Sequence, residues 1–267
     1  MTARRTIAIT GASAGIGAEI ARVCAARGYD LILIARREAP LQALSQELQN
    51  AHGITAHVVT ADLAAPDAAK TLVDAVAARG IQVDGLVNNA GFSKTTGFTT
   101  TDPAAQQEML RVMLSVPVEL ARLWLPDMKA RGWGRIVNVA SMAGFLQATG
   151  GDTLYGPIKS FMIKFSQGLW VESQGSGVHV SVLCPGYTYT EFHDVNGSRD
   201  AVSKAYPKWM WLQADRVARE AWDAVEADRP RCIPGKRYQF LALVSKLLPD
   251  RMGLKTAASH AKKLQRI

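Results

Sequence analysis

The feature that most constrains the fold is a regular alternation of short apolar runs with helical patterns along the 267 residues. Strand-like runs recur near 5–10, 31–35, 55–60, 84–89, 135–140, 178–183 and 231–233. Helical patterns occupy the gaps, near 15–28, 38–51, 66–79, 103–131, 155–174 and 215–228. Strands that alternate with helices form parallel sheets. The sequence therefore predicts an α/β fold, a doubly wound parallel sheet of about seven strands with helices on both faces.

The first strand leads directly into a glycine-rich turn, TGASAGIG at 10–17. Without a Cβ, Gly11 can turn tightly and Gly15 can bring backbone N–H groups close to a pyrophosphate, while Gly17 lets the next helix pack on the sheet. The helix N-terminus also favours a phosphate. A plain glycine-rich turn is the alternative, but the strand before and the helix after favour a Rossmann-type dinucleotide site. The expected cofactor-binding residues here are Gly11, Ser13, Ala14, Gly15, Ile16 and Gly17.

The second strand ends on the arginine pair Arg36 and Arg37. Folds that bind NAD usually carry a carboxylate here for the ribose 2′-hydroxyl, and positions 35–36 have none. A guanidinium suits the 2′-phosphate of NADP, because it forms bidentate, charge-assisted hydrogen bonds. We therefore expect NADP (NADPH) as cofactor, with NAD less favoured. A solvated arginine pair partly neutralised by Glu38 is the alternative.

A serine, a tyrosine and a lysine form the candidate catalytic group. Ser141 follows the run at 135–140, at the strand end where parallel sheets bind ligands. Tyr155 lies 14 residues further on, and Lys159 follows it by one helical turn, so both point from one helix face. A nearby ammonium stabilises a phenolate, which helps to lower the tyrosine pKa from about 10 by the ~2–3 units that a base at neutral pH needs. A helix-surface Tyr–Lys pair is the alternative.

At this point the chain resembles the short-chain dehydrogenase/reductase family over about residues 5–235. The resemblance rests on the glycine turn, Asp62 with Leu63, the NNAG sequence at 88–91, Ser141, Tyr155 with Lys159, and PGYTYT at 185–190. It implies an oxidoreductase that interconverts an alcohol and a ketone or aldehyde by hydride transfer, assembled as a homodimer or homotetramer. An epimerase-type enzyme of the same fold and a non-catalytic NADP-binding redox sensor remain as alternatives.

The resemblance also implies further cofactor contacts. Asp62 and Leu63 are expected at the adenine, and Lys159 at the nicotinamide ribose. The remaining expected contacts are Asn89, Ala90 and Gly91 on the adenosine side, and Pro185, Gly186, Thr188 and Thr190 towards the carboxamide.

Two departures from the family pattern concern the proton path and the substrate. Met113 stands where the family usually has an asparagine, and a thioether cannot replace an amide in a water relay. A relay that depends on a backbone carbonyl at this position would tolerate the change. The spacing from Ser141 to Tyr155 is also one residue longer than the family suggests, which indicates a small insertion at 147–153 near the substrate.

The stretch 186–214 has no clear periodicity and is rich in aromatic residues. Long loops in compact domains are usually functional, and this one leaves the sheet at its ligand-binding edge. Tyr187, Phe192, Trp209 and Trp211 are therefore expected near the nicotinamide, with Phe92 and Phe145 as further wall residues. This predicts an apolar, bulky or aromatic substrate. The alternative is that Trp209 and Trp211 pack on the protein's own surface or on a neighbouring subunit.

The formal charge of +8 is concentrated in the C-terminal segment. Residues 231–267 carry nine Lys and Arg against Asp250 alone, with little aromatic interleaving for nucleic-acid stacking. The segment 239–248 has an apolar stripe broken by Lys246, and Pro249 is expected to end it. A solvated or oligomer-packing helix and a helix on a membrane surface are both consistent with this pattern.

Composition sets the remaining limits. The sequence predicts one domain at 1–235 with a basic extension at 236–267 that packs on the domain or a partner subunit. No apolar run reaches the ~18 residues of a membrane span, and the first strand begins too early for a cleaved signal peptide. The cysteines Cys24, Cys184 and Cys232 have no metal-ligand spacing. We therefore expect a cytoplasmic protein without a metal site or a nucleic-acid partner.

Helices 103–131 and 155–174 carry more apolar residues than one sheet face needs. By this excess and by the family resemblance, they are expected to form the oligomer interface. The candidate contact residues are Leu120, Leu123, Trp124, Phe161, Phe165 and Trp170, of which some must face the sheet.

Overall fold

The computed structural model describes residues 4–94, 96–149, 151–191 and 206–263. Its main strands are β1 (Thr6–Thr10), β2 (Asp30–Ala35), β3 (Ala56–Thr60), β4 (Gly85–Asn88), β5 (Gly134–Val139) and β6 (Val178–Leu183). Two short strands, β7 (Thr188–Tyr189) and β8 (Leu212–Gln213), pair with each other, and β9 (Arg231–Cys232) joins the main sheet. That sheet has seven strands in the order β3-β2-β1-β4-β5-β6-β9, and its pairings are parallel.

Helices surround the sheet. They are α1 (Gly15–Ala26), α2 (Glu38–His52), α3 (Ala68–Ala77), α4 (Pro103–Leu110), α5 (Val116–Ala130), α6 (Tyr155–Glu172), α7 (Ala214–Glu226), α8 (Lys236–Leu247) and α9 (Asp250–Lys263). Side chains of α1, α2 and α7 pack in one apolar core, and those of α3 and α5 in another. All residues of β1 are buried, because helices cover a central parallel strand from both faces. The predicted doubly wound α/β fold is confirmed.

The strand order fixes where a ligand can bind. β1 pairs with β2 on one side and with β4 on the other, so the order reverses at β1. In such sheets the crevice lies beyond the carboxyl ends of the strands next to the reversal. The glycine turn follows β1, the sequence NNAG spans the end of β4, and Ser141 follows β5. The topology therefore brings these segments to one edge.

The predicted helix over 103–131 is in fact two helices joined by a π-helical turn, Arg111–Ser115. The Val116 N–H donates to the Arg111 carbonyl, five residues earlier. Pro117 follows directly, and in a regular α-helix its ring would clash with the carbonyl four residues before it. The wider turn accommodates this proline.

Two of the residues predicted for an oligomer interface are in fact core residues. Leu120 is fully buried and Trp124 nearly so, because both point into the core beside the sheet. Leu123 and Phe161 are exposed, at 42% and 40%. Phe165 stacks on Phe161 with ring centroids 5.8 Å apart. Some of the candidates thus face the sheet, as expected, and the interface itself stays a prediction.

The basic extension forms α8 and α9, and α9 is not predicted from the sequence. Pro249 follows the end of α8 and precedes the first turn of α9, where its carbonyl accepts the N–H groups of Met252 and Gly253. A proline is tolerated at a helix start, so the same residue separates two helices. Within the described part of the chain, no helix has the length and apolarity needed to cross a bilayer.

Candidate active site

The glycine turn presents bare backbone to the crevice. Gly11 and Gly15 have positive φ angles of 67° and 57°, a region that glycine adopts without steric cost. Ala14 is the N-cap of α1 and has no side-chain acceptor for the first N–H groups of the helix. A Cβ on Gly17 would lie 2.4 Å from the Gly11 carbonyl oxygen. The turn is therefore compact and leaves its helix N-terminus available to an anion.

Asn89 braces this turn from the end of β4. Its side-chain amide donates to the carbonyl oxygens of Thr10 and Gly11, at 3.0 and 3.1 Å. The Thr10 hydroxyl in turn accepts the backbone N–H groups of Asn89 and Ala90. These four contacts tie the ends of two adjacent strands together, so the backbone around the crevice is held in place.

The arginine pair lies at the far end of the same crevice. Arg36 is exposed and reaches Glu108 at 3.5 Å. Arg37 contacts the Glu191 carboxylate at 2.8 Å and the Ser13 hydroxyl at 3.3 Å. Arg37 therefore borders the glycine turn, Arg36 lines the same cavity, and both have an acidic neighbour that a bound phosphate would compete with.

Ser141, Tyr155 and Lys159 come together as the sequence predicts. Ser141 begins a short 3-10 turn, and its hydroxyl accepts the Ala143 N–H and hydrogen-bonds to the Tyr155 phenol. Lys159 lies one turn along α6, with its Nζ 5.5 Å from the centroid of the Tyr155 ring. The same ammonium donates to the Val139 carbonyl oxygen at 2.8 Å, so it is held at the end of β5.

Burial changes the pKa values of both ionisable groups. Burial is the main cause that raises the pKa of Tyr155 to about 12, and the Asp152 carboxylate adds to the rise. The hydrogen bond from Ser141 acts in the opposite direction and lowers this pKa. Burial lowers the pKa of Lys159 to about 8, because an ammonium is costly to desolvate. At neutral pH the tyrosine is therefore a phenol, and the lysine can release a proton close to neutrality.

Met113 lies in the π-helical turn and does not point a polar group at the site. Its side chain is buried against Gly91, and its sulfur accepts the Phe92 N–H at 3.5 Å. Pro117 has no N–H, so the Met113 carbonyl lacks the donor that residue 117 would supply in an α-helix. The thioether is thus a packing group.

The segment after β6 packs closely against the C-terminal extension. A Cβ on Gly186 would lie 1.9 Å from Cζ of Tyr238, so the tyrosine ring lies flat on this glycine. The Tyr238 hydroxyl accepts the Tyr187 N–H at 3.1 Å and donates to the Met210 carbonyl. Tyr238 thus fixes both the start and the end of the segment between β6 and β8.

One cavity of about 860 Å³ joins these groups. Its lining includes all the predicted cofactor-site and catalytic residues except Gly17, which packs behind the turn against Asn89. The residues brought together are Gly11, Ser13, Ala14, Gly15, Ile16, Arg36, Arg37, Asp62, Leu63, Asn89, Ala90, Gly91, Ser141, Tyr155, Lys159, Pro185, Gly186, Thr188 and Thr190.

The far wall of the cavity comes from residues that the sequence did not single out. Side chains of α8 and α9 line it, among them Leu241, Val244 and Thr256. Gln147, from the segment 147–153, donates its amide to the Ser245 carbonyl at 3.0 Å and thereby holds the end of α8. The apolar stripe of 239–248 is visible in the sequence, but no local signal shows that it faces the cavity.

Several aromatic residues expected on the substrate wall lie elsewhere. Trp209 is 55% exposed, with Arg237 4.7 Å above its ring, and Trp211 packs between Tyr187 and Tyr189. Neither tryptophan lines the cavity, so the expectation that they form the substrate wall is wrong. Trp211 packs on the protein's own surface, and Trp209 stays largely exposed. The Phe145 ring packs against the core instead, whereas Phe92 and Tyr187 do line the cavity. Phe192 lies outside the described residues.

Comparison with known proteins assigns the family. The profile of the family described as short chain dehydrogenase matches residues 5–200. The ketoacyl reductase HetN of Nostoc sp. is 33% identical over 183 residues, which cover 68% of this chain and 63% of that protein. The chain thus spans less than two thirds of the length of that relative.

Two solved structures share the fold over nearly the whole chain. A short-chain dehydrogenase from Sphingobium yanoikuyae in complex with NADPH is 29% identical, with a TM-score of 0.80 and 94% and 95% of the two chains covered. The bulky-bulky ketone specific alcohol dehydrogenase from Comamonas testosteroni is 26% identical, with a TM-score of 0.75 and 94% of each chain covered. The chain belongs to the short-chain dehydrogenase/reductase family and is an NAD(P)-dependent oxidoreductase.

Proposed function

We propose that the protein is an NADP-dependent carbonyl reductase in which Tyr155 is the general acid. The observation that carries this proposal is the hydrogen bond between Ser141 and the Tyr155 phenol inside the cavity, with the Lys159 ammonium behind the ring. A phenol with a pKa of about 12 is fully protonated at neutral pH, which suits donation to a carbonyl oxygen. The reverse reaction, alcohol oxidation, needs the phenolate.

The residues present fit a dinucleotide, because the turn around Gly11 leaves bare backbone and an uncapped helix N-terminus at the crevice. When bound, the cofactor supplies the hydride. Ser141 holds the substrate oxygen, and Tyr155 transfers its phenolic proton to that oxygen. Lys159 stabilises the phenolate that remains and, with a pKa of about 8, returns a proton to it; a proton from solvent then restores the ammonium.

We assign the cofactor contacts along the same crevice. The glycine turn holds the pyrophosphate, Asp62 and Leu63 flank the adenine, and residues 89–91 close the adenosine side. Lys159 binds the nicotinamide ribose, while residues 185, 186, 188 and 190 surround the carboxamide. Arg36 binds the 2′-phosphate with Arg37 in support, which gives the preference for NADP; the NADPH complex of the Sphingobium yanoikuyae enzyme supports this assignment.

We infer that the substrate is an apolar and bulky ketone or aldehyde. The cavity beyond Tyr155 has apolar walls from Leu146, Tyr187, Leu241 and Val244. Pockets of this kind orient a ligand by a few polar groups and bind it by apolar contact. The described specificity of the Comamonas testosteroni enzyme for bulky-bulky ketones supports the same substrate class.

The test is a panel of ketones and aldehydes of increasing size, assayed by loss of NADPH absorbance. The wild-type protein should prefer the bulky apolar members. Tyr155→Phe should lose about 10²–10⁴-fold in kcat, the range for general acid–base catalysis, while NADPH affinity stays near native. A Tyr155→Phe variant with near-native kcat would contradict the assignment, and a preference for sugars or acidic metabolites would contradict the substrate class.

We further propose a homodimer or homotetramer in the cytoplasm, with residues 236–267 as an extension of a single domain at 1–235. The exposed residues Leu123 and Phe161 are the best contacts for the oligomer, because they are large apolar side chains at the surface. A charge at either position would oppose burial in an interface. The double variant Leu123→Glu, Phe161→Glu should shift the mass measured by light scattering to that of a monomer. A monomeric wild-type protein at micromolar concentration would contradict the interface.

A further inference from the structure

Helix α8 is apolar on two opposite sides. One side carries Tyr238 and Ala242, which are buried in the protein. The opposite side carries Phe240, Leu243 and Leu247, which are 64%, 57% and 76% exposed. Their spacing of three and four residues places these three on one stripe. A helix that is apolar on both sides needs a second cover, and the described part of the protein does not supply one.

Helix α9 carries a row of cations on its outer side. Gly253 and Ala261 are buried, while Arg251, Lys255 and Lys262 are exposed. At 100° per residue these three cluster on the side opposite the buried residues. Together, Phe240, Leu243 and Leu247 of α8 and Arg251, Lys255 and Lys262 of α9 define what we call the outer face.

The charge of this region favours a negatively charged partner. The exposed cations of α8 and α9 are Lys236, Arg237, Lys246, Arg251, Lys255 and Lys262, against Asp250 alone. A second copy of the chain would bring two such surfaces together and would be opposed by like charges. Apolar side chains framed by lysine and arginine match instead the boundary between the acyl chains and the headgroups of an anionic bilayer.

We propose that the outer face docks on an anionic lipid surface. Phe240, Leu243 and Leu247 enter the acyl boundary, and the cations of α9 lie among the headgroups. Leu241 and Val244, which are 39% and 37% exposed, lie on α8 between its buried side and the outer face, and both line the cavity. Docking therefore places this cavity wall next to the lipid. This proposal does not depend on the identity of the reaction.

The experiment measures co-sedimentation of the full-length protein with phosphatidylcholine vesicles, with and without added phosphatidylserine. We expect binding to the vesicles that contain phosphatidylserine, and weakening of that binding as salt is raised. Replacement of Arg251, Lys255 and Lys262 by Gln should reduce partitioning by roughly a hundredfold, at about fivefold for each charge. Leu243→Ser with Leu247→Ser should reduce it by roughly tenfold or more.

Matched variants separate docking from general effects of charge and polarity. Lys70→Gln, Arg122→Gln and Lys164→Gln remove three exposed cations from other helices. Phe98→Ser with Val171→Ser removes two exposed apolar side chains elsewhere, at 54% and 64% exposure. Both controls should partition as the native protein does. Circular dichroism and NADPH fluorescence verify that each variant is folded.

Three outcomes would overturn the proposal. The first is equal binding to vesicles with and without phosphatidylserine. The second is native partitioning by the outer-face variants. The third is a dimer in light scattering that Leu243→Ser with Leu247→Ser dissociates while vesicles capture nothing, because that result assigns the face to a second copy. An inactive enzyme that still binds vesicles would contradict the proposed function and leave the docking intact.

Discussion

Pro117 stands four residues after Met113, so it cannot donate a backbone hydrogen bond to the Met113 carbonyl oxygen. The π-helical turn Arg111–Ser115 accommodates this proline and sits beside the active site, where Val112 lines the cavity. We predict that this carbonyl is the acceptor that serves a proton path at the position where the family usually has an asparagine. If so, the side chain at 113 is dispensable for that path.

The first prediction tests that path. Met113→Leu should keep kcat within about twofold, because the sulfur serves packing. Pro117→Ala supplies an N–H that can engage the Met113 carbonyl, and kcat should fall by roughly tenfold, about 1.4 kcal/mol, with NADPH affinity unchanged. Steady-state kinetics and fluorescence titration give both values. A large loss in Met113→Leu together with native kcat in Pro117→Ala would reverse the assignment.

The second prediction concerns cofactor choice. Arg36→Ala should lose roughly 1.5–3 kcal/mol of NADPH affinity, and NADH affinity should stay as it is, since NADH has no 2′-phosphate. Glu108 competes with a phosphate for Arg36 at 3.5 Å, so Glu108→Gln should strengthen NADPH binding slightly. Titration of each variant with both cofactors measures this. Equal affinity of the native protein for NADPH and NADH would refute the preference.

The third prediction concerns the pH dependence of the two directions. Carbonyl reduction uses the Tyr155 phenol and should be nearly independent of pH around neutrality. Alcohol oxidation uses the phenolate and should accelerate with rising pH, because the pKa of about 12 in the cofactor-free protein leaves little phenolate at neutral pH. Initial rates in both directions over a shared pH series test this. Oxidation that slows as pH rises would assign the proton transfer to another group.

The fourth prediction links the buried lysine to stability. The pKa of Lys159 is lowered from 10.5 to about 8, because the buried ammonium destabilises the folded state. Below pH 8 the lysine is protonated in both the folded and the unfolded state, so the whole of this cost is present. That cost is relieved as pH rises from 8 towards 10.5. Lys159→Met should therefore raise the free energy of unfolding at pH 7 by on the order of 2 kcal/mol, after loss of the bond to Val139, and abolish activity.

Urea unfolding of the native protein and Lys159→Met at several pH values provides the measurement. The difference between the two proteins should shrink towards pH 10.5, since other titrating groups are common to both. A variant less stable than the native protein at pH 7 would indicate that the ammonium stabilises the fold.

The fifth prediction concerns the cavity wall. Val244→Trp should raise KM for a bulky ketone by roughly tenfold or more and leave a small ketone such as acetone nearly unaffected, because the indole fills the apolar space beyond Tyr155. Leu243→Trp is the matched control, because Leu243 is next to Val244 in the sequence but its side chain is exposed to solvent. Equal effects of the two variants on large and small substrates would place the substrate elsewhere.

Much of the crevice could be predicted from the sequence because its residues sit at strand ends. The carboxyl ends of parallel strands meet at one edge, so the turn at 10–17 and Ser141 had to converge once the alternation of strands and helices was recognised. The exception is Gly17, which packs behind the turn. For these residues the local sequence pattern and the overall fold agree.

The cavity wall could not be predicted in the same way. The contact of Gln147 with Ser245 joins residues that are 98 positions apart, and no local periodicity encodes it. Whether the Trp209 side chain points inward or outward depends on tertiary packing, and its ring lies at the surface beside Arg237. Pro249 is a typical helix terminator, yet α9 begins at the next residue.

The contact between Gly186 and Tyr238 has a consequence for how this chain can change over evolution. Any side chain at 186 would collide with the ring, and loss of the ring would remove the hydroxyl that bonds the Tyr187 N–H and the Met210 carbonyl. Positions 186 and 238 can therefore change only together. In homologous chains, a residue larger than glycine at the position of Gly186 should be accompanied by a small residue at the position of Tyr238.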